Sequence, residues 1–135
     1  MTAMPTYRVR EAAQLLGVSD DTVRRWADAG RLPVHDDNGR LGIDGAALAE
    51  FAVAHAEAPA TPAIGGVSAR NHLTGLVTRV VRDTVMAQVE LQCGPFRIVS
   101  LLSREAADEL GLEPGSLAVA SIKATNVVIE VPTGS

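Results

Sequence analysis

Val85, Ala87, Val89, Leu91 and Cys93 alternate with Met86, Gln88, Glu90 and Gln92. A run of strict period two is satisfied by an extended strand with one face buried; a helix would scatter the same apolar positions around its circumference. The second half of the chain is thereby committed to sheet. Leu73 to Arg82 reads as a preceding strand, interrupted at Gly75, and Gly94-Pro95 turns into a following one, Phe96 to Leu101. Ser103 caps a short helix, Arg104 to Leu110, closed by Gly111. Pro114-Gly115 then turns into Leu117 to Ala124, and Asn126 to Val131 finishes the set. Five short strands with one helix predict a small closed barrel, because closure removes exposed edges.

The first half has a different period. Val9, Ala12, Ala13, Leu15 and Leu16 are spaced as on a helix that stops at Gly17. Ser19 is a good N-cap, and Asp20 and Asp21 follow it in the first turn, where the helix dipole favours negative charge. Thr22, Val23, Trp26 and Ala27 mark a second helix ending near Gly30, separated from the first by a very short turn. Asn38-Gly39 is a strong hairpin signal, so Val34 to Ile43 is expected to form a two-stranded wing. Asp44 is expected to cap a third helix through Leu48, Phe51 and Val53. Ala56 to Gly66 is rich in Ala, Pro and Gly without apolar periodicity, as a linker is. The expected organisation is residues 1–56, a linker at 57–66, and residues 67–135.

Composition narrows the function. Of the 135 residues 47% are apolar but only four are aromatic, so Ala, Val and Leu fill the cores. Lys and Arg number 6 against 9 Asp and Glu in residues 1–57, and 6 against 7 in residues 58–135. Neither half has the positive excess of a nonspecific nucleic-acid binder, so any DNA contact depends on where single arginines sit. No run approaches the roughly 18 apolar residues that span a bilayer. Met1 to Arg10 lacks an apolar signal core, and Cys93 has no second cysteine to pair with, so a cytoplasmic location is expected. His35, His55 and His72 are scattered without metal-ligand spacing, and the chain has no nucleotide loop or nucleophile elbow. Enzymatic activity is not expected.

Tyr7-Arg8-Val9-Arg10-Glu11-Ala12-Ala13 followed by Leu16-Gly17-Val18-Ser19-Asp20-Asp21-Thr22-Val23-Arg24-Arg25-Trp26 resembles the winged helix-turn-helix domains of the MerR and excisionase type. The resemblance covers about residues 6–56. It implies a three-helix winged unit that binds double-stranded DNA, with Thr22, Arg24 and Arg25 on the helix that enters the major groove and Arg40 on the wing. The wing departs from the family pattern by carrying two acids, Asp36 and Asp37.

Ser68-Ala69-Arg70-Asn71, Gly75, Gly111, Gly115 and Ile122-Lys123-Ala124 are similar to the molybdate-binding Mop, or TOBE, domain over residues 67–131. That resemblance implies a five-stranded OB-like barrel that binds molybdate or tungstate at a subunit interface. One copy would supply Ser68, Arg70, Lys123 and Ala124, and a second copy Ser100 and Ser103. Lys123 is the only lysine among twelve basic side chains. The implied donor set suits the ligand: molybdate is a tetrahedral dianion with four acceptor oxygens and no proton at neutral pH, and none of the six positions is a carboxylate. Ser103 adds a helix N-terminus, although it would cap that helix with or without an anion.

The chain as a whole is thus expected to be α+β, a winged helix-turn-helix followed by a five-stranded barrel with one short helix. A single barrel with a shared site requires a homodimer or a higher homo-oligomer, which would also pair the DNA-binding units. The expected function is an oxyanion-responsive, DNA-binding transcriptional regulator. The alternative is a molybdate storage or buffering protein whose N-terminal unit serves assembly.

Overall fold

A computed structural model describes residues 5–56, 62, 65, 66 and 68–133. The chain divides into two compact units, Met1–Ala58 and Pro59–Ser135. Among the described residues no helix is long and apolar enough to cross a membrane.

The N-terminal unit runs β1 (Thr6–Tyr7), α1 (Val9–Leu16), α2 (Asp20–Asp28), β2 (His35–Asp37), β3 (Arg40–Asp44) and α3 (Gly45–His55). Its boundaries follow from local chemistry. Gly17 closes α1 at φ 72°, a left-handed conformation that glycine reaches without a Cβ penalty. The Ser19 hydroxyl accepts the Thr22 N–H at 3.2 Å and starts α2. Asn38 and Gly39 both hold positive φ, at 56° and 81°, the geometry of a two-residue hairpin turn. Val9, Ala12, Ala13, Val23, Leu32, Ile43, Leu48 and Phe51 form one buried cluster, with Trp26 packed against it.

Two details differ from the sequence-based expectation. Thr6 and Tyr7 pair with Asp44 and Ile43, turning the hairpin into a three-stranded sheet of order β1-β3-β2. Two residues are too few to show a period. Asp44 occupies the N-cap of α3, but its side chain makes no capping hydrogen bond. Instead the carboxylate lies 3.6 Å from His35 Nδ1.

The C-terminal unit contains β4 (Asn71–Arg82), β5 (Met86–Cys93), β6 (Phe96–Ser103), α4 (Arg104–Glu109), β7 (Leu117–Ile122) and a 3-10 turn, Ala124–Asn126. The strands form one antiparallel sheet in the order β6-β5-β4-β7. Ala87, Val89, Leu91 and Cys93 of β5 are buried as expected, but Val85 precedes the strand and is exposed. Glu90, on the opposite face, is buried beside Arg79 and Arg97, whose charges offset its own. Val77, Val89, Leu91 and Cys93 form the central cluster, flanked by Leu73, Ile98, Leu102, Leu112 and Ala118. The Asp83 carboxylate accepts the Val85 and Met86 N–H groups at 2.7 and 2.6 Å in the β4–β5 turn. Those two bonds, Met86 first, hold its pKa below the usual carboxylate value.

β4 does not stop at Gly75. Its first half pairs with β7, from Asn71↔Ile122 to Leu76↔Leu117, and its second half pairs with β5, from Leu76↔Gln92 to Arg82↔Ala87. A register shift between Val77 and Arg79 marks the hand-over, where bulges commonly bend strands. Gly75 sits just before it, and a Cβ there would lie 2.4 Å from the Gln92 carbonyl oxygen and 2.7 Å from Cys93 Sγ. Glycine is therefore kept in this strand for space.

The expected five-stranded barrel is not what one copy forms. The sheet has four strands and two open edges, β6 and β7, and the stretch expected as a fifth strand, Asn126 to Val131, pairs with neither. Its sequence has strand character, but a strand exists only through a ladder partner, and none of the described strands of this copy takes that place.

Candidate functional site

The oxyanion candidates converge in part. Asn71 faces Ile122 at the start of the β4–β7 ladder, and Asn71 Nδ2 donates to the Ile122 carbonyl oxygen at 3.0 Å. One step further out, Arg70 leads into β4 and Lys123 leaves β7, at the same end of the ladder. The Arg70 guanidinium donates back to the Ser68 carbonyl at 3.4 Å, which keeps that cation beside its own lead-in segment. Lys123 precedes the 3-10 turn that begins with Ala124. Ser68, Arg70, Lys123 and Ala124 thus lie in the two segments at one end of the sheet, with Arg70 and Lys123 immediately flanking the paired strands. None of the described ion pairs uses Arg70 or Lys123.

Ser100 and Ser103 do not join them within one copy. Ser100 pairs opposite Val89 on β6, at the other edge of the sheet order. The sheet curls enough that Ser100 and Ile122 line a common trough of about 500 Å³, whose walls are otherwise mainly apolar, including Leu91, Leu110 and Leu117. The Ser103 hydroxyl accepts the Ala106 N–H at 3.0 Å and borders a different hollow, next to Glu105, Asp108 and Glu109. Its capping role is realised; within one copy the same hollow also holds Arg104, 3.7 Å from Asp108.

Two residues at the ladder end escaped the sequence reading as neighbours. His72 Nδ1 and Ser121 Oγ lie 3.0 Å apart on facing positions of β4 and β7. Only the strand register brings them together, and register is not visible in either segment alone.

The DNA candidates separate into two groups. On α2, Thr22 Oγ1 is 2.9 Å from Ser19 Oγ and accepts from the Arg25 guanidinium at 3.2 Å, so both side chains are held at the helix N-terminus. Arg24 and Arg40 line one cleft of about 400 Å³, together with Arg8, Arg10, Asp20 and Leu41. Arg10 is the functional candidate that the sequence reading missed, because nothing in its local pattern says that α1 begins beside the hairpin tip. One of the two wing acids is also explained. Asp37 forms an ion pair with Arg8 at 2.8 Å, which places its charge inside the unit's own architecture.

The comparisons with known proteins divide at the same point as the fold. The family model of the helix-turn-helix domain matches residues 6–54, and that of the TOBE domain matches residues 67–129. Molybdenum-pterin-binding protein 1 of Clostridium pasteurianum is 38% identical over 64 residues, covering 47% of this chain and 94% of that one. A probable molybdenum-pterin-binding protein of Haemophilus influenzae is 41% identical over 66 residues, covering 48% of this chain and 96% of that one. A solved structure of the cytoplasmic molybdate-binding protein ModG with molybdate bound is 46% identical at a TM-score of 0.48, covering 50% of this chain and 48% of that one.

Proposed function

We propose, from the fact that the chain belongs to the family of TOBE-domain proteins that includes the molybdenum-pterin-binding proteins, that it binds molybdate or tungstate in its C-terminal unit and regulates transcription through its helix-turn-helix domain. The observation that carries this reading is the donor set at the open end of the β4–β7 pair. Ser68, Arg70, Lys123 and Ala124 offer a hydroxyl, a guanidinium, an ammonium and main-chain N–H groups from the two paired segments. A tetrahedral dianion needs donors from several directions, and a carboxylate among them would repel it.

One copy supplies only part of such a shell. Val127, Val128, Ile129 and Val131 are 43%, 79%, 82% and 82% exposed, an apolar run that a folded chain rarely leaves in water. The same copy has two open sheet edges and an apolar trough between them. A second copy reconciles these features: its tail adds as a fifth strand and closes the trough, while its own trough receives the first copy's tail. In the resulting homodimer or higher homo-oligomer, Ser100 and Ser103 of one copy are proposed to complete the shell begun by Arg70 and Lys123 of another.

Regulation then requires that the oxyanion bind one arrangement of the assembly better than another, since equal affinity for both shifts nothing. The test is DNA binding of the full chain on its upstream region, titrated with molybdate. A ligand-dependent change in affinity, of either sign, supports the regulator, and an unchanged affinity removes it. Lys123→Ala is expected to weaken molybdate binding about tenfold to a hundredfold, from roughly 1.5–3 kcal/mol for one charge-assisted hydrogen bond. Calorimetry of that variant checks it, and full retained affinity removes Lys123 from the site.

A storage or buffering protein is the second reading, favoured by the excess of acids in residues 1–57, 9 against 6 basic side chains. It predicts intact molybdate binding with no DNA affinity.

A further inference from the structure

We propose that the cleft between α1, α2 and the β2–β3 turn is a clamp for one backbone phosphodiester of duplex DNA, closed by Arg10, Arg24 and Arg40 and aimed by Arg8. The proposal rests on the DNA-binding reading and adds to it a site with a defined ligand chemistry. Three elements supply the cations: Arg10 from the first turn of α1, Arg24 from α2, and Arg40 from the residue after the Asn38-Gly39 turn. None of the described ion pairs uses any of these three guanidiniums. Unpaired like charges lining one cleft repel each other, and an anion placed among them relieves that repulsion. Guanidinium forks match phosphate oxygens in geometry as well as charge.

Asp20 stands at the same cleft and limits what the ligand can be. A dianion would meet that carboxylate with twice the repulsion that a singly charged diester meets. The diester also continues along a strand, so neighbouring phosphates remain free to meet the rest of the surface.

Arg8 lines the cleft but is committed elsewhere. Its Nη2 lies 2.8 Å from Asp37 Oδ2 on β2, and its Nη1 donates to the Leu41 carbonyl on β3 at 3.3 Å. One side chain thus grips both arms of the hairpin on either side of its turn and fixes Arg40 relative to Arg10. Arg8 is a positioning residue, and Asp37, an unpromising acid for a DNA-facing wing, is its anchor.

The test uses the full chain and two duplexes, one from its upstream region and one scrambled, with affinity measured by fluorescence anisotropy over a range of salt concentrations. Arg10→Ala and Arg40→Ala should each weaken binding to both duplexes by the same factor. Each should also lower the slope of log affinity against log salt by about 0.9, the signature of one lost phosphate contact. Exchanging the anchor, Arg8→Asp with Asp37→Arg, should recover binding lost in Arg8→Asp alone. If Arg10→Ala leaves both affinity and slope unchanged while Arg24→Ala weakens binding, the clamp is overturned and DNA binding stands. If the unaltered chain binds neither duplex, the clamp and the DNA-binding reading fall together.

Discussion

Gly75→Ala is expected to lower the stability of the C-terminal unit by about 3 kcal/mol, at the upper end of what overpacking a core costs. The added methyl would meet the Gln92 carbonyl oxygen at 2.4 Å and the Gln92 carbonyl carbon at 2.9 Å, atoms of a paired strand that has no rotamer to retreat into. The Cys93 sulfur at 2.7 Å is itself buried, so it has little room to swing aside. A unit of this size shifts its Tm by roughly 4–8 °C per kcal/mol, which sets the expected drop at about 12–24 °C. Far-UV circular dichroism reads the sheet, while Trp26, the chain's one tryptophan, reports on the N-terminal unit. A midpoint unchanged in Gly75→Ala would mean that β4 and the end of β5 do not approach as closely as the geometry has them.

The second large effect is expected from removing residues 127–135. If the exposed Val127, Val128, Ile129 and Val131 are the strand that closes another copy's trough, the shortened chain is monomeric and loses oxyanion binding together with assembly. Each such side chain contributes about 1.5–3 kcal/mol when fully buried, so four of them amount to about 6–12 kcal/mol, comparable with the whole net energy of a micromolar to nanomolar association. Ile129→Asp with Val131→Asp tests the same seam at full length, since two carboxylates cannot enter an apolar trough unpaired. Sedimentation velocity gives the oligomer size of each variant. A truncated chain that assembles and binds molybdate like the intact one would remove the tail from the account.

What the sequence disclosed tracks how local each cause is. The alternation on β5 is a property of consecutive residues, and it gave the strand and four residues of its buried face, Ala87, Val89, Leu91 and Cys93, but not the exposure of Val85 or the burial of Glu90. The Ser19 cap, the Gly17 stop and the Asn38-Gly39 turn are likewise settled within a few residues. The misses are long-range. β1 exists only because β3 is there to pair with it, and Gly75 looked like a strand break because its reason lies across the sheet on β5. The apolar run from Val127 carries strand character, yet none of the chain's described strands pairs with it. The two motifs that hold Ser68, Arg70, Lys123 and Ala124, the proposed oxyanion ligands, were legible, and the β4–β7 register brings those two segments to one end of the sheet. The pairing of His72 with Ser121, and the presence of Arg10 in one cleft with the wing-tip Arg40, required the fold.

The central claim, an oxyanion held between copies by Lys123, Arg70 and hydroxyl groups, is tested most directly by calorimetry of the full chain with molybdate, tungstate and sulfate, read beside the mass of the assembly in solution. The account predicts a dimer or larger assembly that binds molybdate and tungstate saturably, at a fixed number of anions per pair of copies, and sulfate far more weakly. A monomer that takes up no molybdate, or one that binds all three anions equally through single chains, would contradict it.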